Sequence, residues 1–157
     1  MKTSIIYCDF ENPDHLNALV RLVGNYMTDP MGACDTGLNK LQQLRLVDAL
    51  ANHSNALVVF LIYDELIVGY AVGFFNISTF FARTMLNIHD FFIDSAQRSH
   101  GLGTELMMHL VDIASKRKCC KITLEVREDN EIAMKIYKAI GFCPTTPTYH
   151  FWTKILD

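Results

Sequence analysis

The chain has 157 residues, 50% of them hydrophobic and 20% charged, with a formal net charge of −3. That length suits one domain with a real buried core, and the composition is that of a soluble globular chain rather than a fibrous or disordered one. The acidic balance argues against a nucleic-acid partner, no apolar run approaches the ~20 residues of a membrane span, and the start turns acidic too soon for a signal peptide, so a cytoplasmic protein is expected.

Residues 3–8 read as a first strand. Asn12-Pro13-Asp14 then supplies a helix start, and Leu16, Leu19, Val20 and Val23 follow at helical spacing. Residues 24–37 interrupt the pattern and form the longest irregular stretch. Leu38, Leu41, Leu44, Leu46, Val47 and Leu50 restore it. Residues 56–63 are an apolar, β-branched run, and Asp64-Glu65 predicts a hairpin turn into residues 66–75. A second break over 76–83 leads to a strand over 85–93. Residues 101–118 predict an amphipathic helix, with Leu102, Leu106, Leu110 and Ala114 four apart. A strand over 121–126 follows, then a helix from Asp129-Asn130 with Ile132, Ile136 and Ile140 as its buried stripe and Gly141 as its stop. Residues 149–155 are expected to form a last strand. No repeat or linker divides the chain, so residues 1–157 are read as one α/β domain.

The five cysteines (Cys8, Cys34, Cys119, Cys120, Cys143) include no C-x-x-C pair, and adjacent Cys119 and Cys120 would face opposite sides of a strand. Reduced structural thiols are expected. The six histidines show no H-x-x-x-H or H-E-x-x-H spacing, so no metal is expected.

Chemistry concentrates between His89 and Phe142. After Ile93 the chain passes through Arg98-Ser99-His100-Gly101-Leu102-Gly103-Thr104, an R-x-x-G-x-G turn that opens a helix. The first turn of a helix carries backbone N–H groups with no internal acceptor, and the dipole adds positive potential, so this is a site for a phosphate. Gly101 and Gly103 let a bulky pyrophosphate come close, and Arg98 and His100 could add donors. The same pattern also serves a helix start with packing glycines. It is neither G-x-G-x-x-G nor a G-K-[ST] loop. Downstream, Asn130 and Tyr137 lie seven residues apart, about two turns or ~10.5 Å along a helix axis. An amide and a phenol at that spacing could span a long ligand arm. They also suit an N-cap and a core aromatic.

With those residues assembled, the chain resembles the GNAT superfamily of acetyl-CoA-dependent N-acetyltransferases, most specifically over residues 87–142. Phe91-Phe92-Ile93 followed by R-x-x-G-x-G-T is similar to the family's cofactor strand and pyrophosphate turn, and Asn130-x-x-Ala133-x-x-x-Tyr137-x-x-x-Gly141-Phe142 to its second signature. The resemblance implies an α/β (α+β) domain with a mixed, mostly antiparallel twisted sheet flanked by helices. It implies acetyl-CoA as cosubstrate and a primary amine, on a small molecule or a peptide terminus, as acceptor. Backbone groups of the 91–93 strand would pair with the pantetheine arm, Arg98 to Thr104 would cradle the pyrophosphate, Asn130 would bond the pantetheine, and Tyr137 would protonate the leaving thiolate. The amine would attack directly, without an acyl-enzyme.

For the base, Leu124-Glu125-Val126-Arg127 resembles a stretch of the ribosomal-protein alanine acetyltransferases whose glutamate takes the proton, which points to Glu125. His89 is the competitor, with an ordinary pKa of ~6.5. Strand alternation places Asn87, His89 and Phe91 on one face and Asp90 on the other. The acceptor is expected between residues 26–37 and 76–83, with Tyr26, Asp29, Asp35 and Glu65 to attract an ammonium and Phe74, Phe75, Phe80 and Phe81 as an apolar wall. These phenylalanines equally suit a core or a homodimer surface. Two other readings stand beside the enzyme: a non-catalytic acyl-CoA-binding regulatory module, and a nucleotide-binding protein of another fold.

Overall fold

The computed structural model describes residues 2–32 and 34–156. Five strands, β1 (Thr3–Tyr7), β2 (Ala56–Tyr63), β3 (Leu66–Ser78), β4 (Arg83–Ile93) and β5 (Ile122–Leu124), lie in the order β1-β2-β3-β4-β5. Every neighbouring pair is antiparallel except β4 with β5, which is parallel. The expected mixed, mostly antiparallel sheet is therefore present.

Helices cover both faces, and each face has its own apolar core. α3 (Leu102–Lys116) and α4 (Glu131–Ile140) bury Leu106, Met107, Leu110 and Tyr137 against Val59, Leu61, Ala71, Leu86 and Ile88. On the other face, α1 (Pro13–Thr28) and α2 (Lys40–Ala51) bury Leu19, Leu22, Val23 and Leu50 against Val58, Phe60, Tyr70, Val72 and Phe92. The sheet is sandwiched because β2 and β3 are apolar on both sides, as a doubly covered strand must be. The β2–β3 turn is tight, with Asp64 and Glu65 at φ +46° and +69°.

Several sequence expectations need correction, among them Ile132 of the expected α4 stripe, which is exposed. α1 does not stop at Gly24 but runs to Thr28. A helical glycine costs only about 1 kcal/mol against alanine, and Tyr26, stacked on Phe92 with ring centres 5.3 Å apart, helps hold the last turn. Of the stretch 24–37, Ala33 lies outside the described residues. The predicted break over 76–83 is mostly strand: β3 continues to Ser78 and β4 begins at Arg83, leaving a short turn. β5 is three residues rather than six, because it leaves β4 after Leu124.

The predicted last strand over 149–155 does not form. Among the described residues no backbone hydrogen bond joins 143–156 to the sheet, and Tyr149, Phe151, Trp152 and Ile155 are exposed. Pro144 and Pro147 interrupt the donors that would begin such a strand. The adjacent cysteines precede β5 instead of lying in it, and all five cysteines are free thiols.

Candidate active site

The site grows from one irregularity in the sheet. β4 pairs with β5 only at Leu86, Asn87 and Ile88, opposite Ile122, Thr123 and Leu124. Beyond those residues the two strands part, and a slot opens between the end of β4 and the chain leading to α4. Just there β4 carries a bulge: Val72 faces Asp90 while Gly73 faces Ile88, so His89 is the extra residue.

The bulge overturns the expected alternation. Ile88 and Phe91 pack toward α3 and α4. His89 lies edge-on to Phe74, and Asp90 accepts from the Tyr70 hydroxyl at 3.4 Å, and both of those rings belong to the α1 side. His89 and Asp90 thus share the α1 face, opposite Phe91, because one inserted residue flips the register of everything before it. Asn87 donates to the Thr123 hydroxyl at 3.0 Å across the middle β4–β5 pair. Glu125 is exposed and follows directly on the end of β5, just past the last β4–β5 pair.

At the far end of β4 the chain makes a 3-10 turn over Ser95–Gln97 and enters α3. Ser99 and Gly101 both have left-handed backbones, φ +70° and +77°, and no side chain caps the helix. The N–H groups of the first helical turn are left without intrahelical acceptors, and alternating left-handed residues curl backbone donors into an anion-binding concavity. A Cβ built on Gly101 meets nothing within 4 Å, so the approach is open. The chemistry of this turn fits the pyrophosphate of acetyl-CoA. Gly103 does a different job: its Cβ would come within 3.2 Å of Ile136, so it seats α3 against α4.

Gly101→Ala is expected to lose about 1–2 kcal/mol of stability, from the left-handed backbone, and to weaken acetyl-CoA binding as well. Gly141, the α4 C-cap at φ +104°, has the same backbone requirement away from the turn. Gly141→Ala should therefore lower the melting temperature without changing affinity, and calorimetric titration of both variants separates the two effects.

The side chains of the turn are placed less simply. Arg98 points back into the fold: its Nε donates to the Ile93 carbonyl at 3.0 Å, its Nη2 to Asp29 at 2.7 Å, and its guanidinium lies 5.3 Å from the Phe92 ring centre. His100 tilts against Tyr63, with Nδ1 3.2 Å from the Gln97 carbonyl. Leu102 and Phe92 are buried in opposite cores, so only their backbone groups could reach a ligand. Ser99 is exposed and Thr104 half-buried on the first turn of α3.

Asn130 caps α4, its side-chain oxygen accepting from the Ala133 N–H at 3.2 Å, which leaves its amide hydrogens for another acceptor. Tyr137 is 8% exposed, with its ring against Phe91 and Phe142. Burial, with Tyr26 nearby, pushes the Tyr137 phenol up to about 12.

The groups sequence reasoning undervalued are Tyr70 and Asp90. Tyr70 is wholly buried, and burial together with the Asp90 charge pushes its phenol far up. Burial also raises Asp90, while His89 and the Tyr70 hydrogen bond pull it back down. Tyr26 is raised by burial and by Asp90 and Asp29, against Arg127. Tyr26 on α1 thus lies within electrostatic reach of Asp90 on β4 and of Tyr137 on α4. The Y-x-x-D run from Tyr26 to Asp29 was a hint of this.

The remaining acceptor residues scatter. Asp29 is consumed by Arg98, and Asp35 is exposed with no partner among the described residues. Glu65 sits in the β2–β3 turn beside Asp64. Phe74 does border His89, but Phe75 is core under Arg117, and Phe80 and Phe81 stand at the β3–β4 turn. That turn is seven or more residues, roughly 25 Å, from Asp90.

The sequence matches the model of the Acetyltransferase (GNAT) family over residues 23–142. The chain belongs to this family. Acetyl-CoA is the family's cosubstrate. Thialysine N-epsilon-acetyltransferase of Bos taurus is 29% identical over 75 residues, which is 48% of this chain and 44% of the relative. The ribosomal protein bS18-alanine N-acetyltransferase of Escherichia coli (strain K12) is 36% identical over 63 residues, 40% of each. The chain thus matches less than half the length of these curated relatives. An aminoglycoside acetyltransferase from an uncultured soil metagenomic sample superposes with a TM-score of 0.79 at 14% identity, over 98% of this chain and 97% of that one, which shows a shared fold. Among the described residues of this GNAT chain, no helix is long and apolar enough to cross a membrane.

Proposed function

We propose that the protein transfers the acetyl group of acetyl-CoA to a cationic primary amine by direct attack, within one domain spanning residues 1–157. The observation that carries this reading is the slot between β4 and β5, with unsatisfied backbone donors at one end and Tyr137, Tyr26 and Asp90 around the other. The turn over 98–104 receives the pyrophosphate, the free edge of β4 at Phe91 bonds the pantetheine arm, and Asn130 adds an amide donor. Acetyl-CoA supplies the thioester carbonyl.

On the amine side, Asp90 attracts the ammonium, its carboxylate held by the Tyr70 hydroxyl. Glu125 and His89 border the same opening and take the proton that makes the nitrogen nucleophilic. The C–N bond forms as the C–S bond breaks, and Tyr137 gives its proton to the departing sulfur. Of the two protons the ammonium loses, one leaves through the base to solvent and the other balances the proton delivered to sulfur. Both curated relatives named above carry amine acetylation in their names, which supports the acceptor class.

The test is thiol release from acetyl-CoA against a panel of amines: diamines, lysine-like amines, aminoglycosides and peptides with free termini. Turnover with a cationic amine is expected, with Asp90→Asn raising its KM at least tenfold. The ascending limb of kcat/KM against pH should shift in Glu125→Gln or in His89→Ala. Tight acetyl-CoA binding without thiol release for any amine would favour the regulatory module.

A further inference from the structure

The β3–β4 turn, roughly 25 Å from the slot, has a chemistry of its own. Phe80 at its tip is 98% exposed, and Phe81 and Ile77 beside it are exposed too. The turn is joined to the segment between α3 and β5: the Thr84 carbonyl accepts from the Cys120 N–H at 2.8 Å, and Arg83 Nη2 donates to the Lys118 carbonyl at 2.9 Å. That junction gathers Arg83, Arg117, Lys118 and Lys121 around the phenylalanines. Residues 75–85 and 113–122 contain no aspartate or glutamate, although the whole chain is net acidic. Lys116 is paired with Asp112, but among the described residues none of the other four has a carboxylate partner. Ile77, Ala82, Arg83, Thr84, Arg117 and Lys118 line a shallow cleft of about 340 Å³ between the turn and the end of α3.

Adjacent exposed phenylalanines beside cations without carboxylate partners call for an occupant that is apolar and anionic together. A second copy meeting this face with the same face would set four cations against four. A nucleic acid could stack on the phenylalanine rings but would leave the exposed aliphatic side chain of Ile77 beside them without an apolar partner. An anionic lipid surface meets both demands: aromatic side chains enter the boundary between headgroups and acyl chains while cations pair with the headgroups.

We propose that the Phe80–Phe81 tip and the surrounding Arg83, Arg117, Lys118 and Lys121 dock the protein peripherally on an anionic phospholipid surface. The turn contacts the surface without spanning it, and the cleft beside Arg83 and Arg117 receives a phosphate-bearing headgroup. The slot between β4 and β5 lies at the other end of β4, so it stays open while the protein is docked.

Co-sedimentation of the full chain with vesicles tests this. Vesicles of phosphatidylcholine with about a third phosphatidylserine should bind the protein, and vesicles of phosphatidylcholine alone should not. Binding should fall sharply between 0.1 and 1 M salt, as the screening length drops from about 10 to 3 Å. Replacing Lys118 and Lys121 by glutamine should weaken it about 25-fold, roughly fivefold for each cation, and Phe80→Ser with Phe81→Ser should reduce it to the level of neutral vesicles. These side chains are exposed, so circular dichroism and thiol release with a soluble amine should match the parent protein. Absence of binding to anionic vesicles overturns the proposal, as does equal binding to neutral ones or indifference to the Phe80 and Phe81 changes. Phe80-dependent self-association, or preference for a single-stranded oligonucleotide over vesicles, overturns it as well.

Discussion

Replacing Tyr137 by phenylalanine should lower kcat by about 10²–10⁴-fold, the usual worth of a positioned general acid, while acetyl-CoA affinity changes little. The ring stays, and with it the contacts to Phe91 and Phe142, so the variant loses only the proton donor. Burial and the neighbouring Tyr26 hold the phenol at about 12. At neutral pH it is therefore fully protonated and ready to give its proton to a thiolate. The same shift has a signature in stability. The folded phenol keeps its proton between pH 10 and 12, where the unfolded one loses it, so the folded state binds more protons and stability falls as pH rises through that window. The slope from this group is up to about 1.4 kcal/mol per pH unit. Tyr70 adds a similar loss in both proteins, so the difference between parent and Tyr137→Phe denaturation curves isolates Tyr137. Unchanged kcat would reduce Tyr137 to a packing residue.

The elements around the proposed cofactor turn were legible because they are local. Glycines open α3, leucines four apart fix its buried stripe, and Asn130 and Gly141 bound α4, all through contacts within a few residues. The acceptor side was not, because its geometry depends on pairing across strands. One extra residue at His89 turns His89 onto the face that Asp90 occupies, and that insertion is visible only in the register against Val72 and Gly73. Tyr70 read as an apolar strand position, yet its hydroxyl is what meets Asp90. Residues 149–155 have the composition of a strand, but composition does not supply a neighbour, and no backbone pairing receives them. Arg98 shows the same limit from inside a correctly found motif, because its partner Asp29 lies 69 positions away.

That pair makes the second large prediction. Asp29 accepts one local and one long-range bond: its Oδ1 from the Met31 N–H at 3.0 Å and its Oδ2 from Arg98 at 2.7 Å. Its side chain is 7% exposed against 41% for Arg98, so removing the arginine leaves a largely buried carboxylate unpaired. Arg98→Ala should therefore cost about 2–3 kcal/mol. This sits below the 3–5 kcal/mol of a fully buried pair, because solvent reaches the guanidinium. Asp29→Asn, which keeps an oxygen for Met31, should cost about 1–2 kcal/mol, and the double variant should be little worse than Arg98→Ala, giving a coupling of at least 1 kcal/mol in urea denaturation. The guanidinium is already engaged by Asp29, Ile93 and Phe92, and so ties the end of α1 to the turn that opens α3. Acetyl-CoA affinity should then fall by less than about threefold in both single variants, with the anion held by backbone donors of residues 99–104. A tenfold or greater loss in Arg98→Ala alone, with Asp29→Asn unaffected, would return Arg98 to the pyrophosphate. Equal small losses in the two would instead make the Arg98–Asp29 bond the mechanical link between the acceptor loop and the cofactor turn.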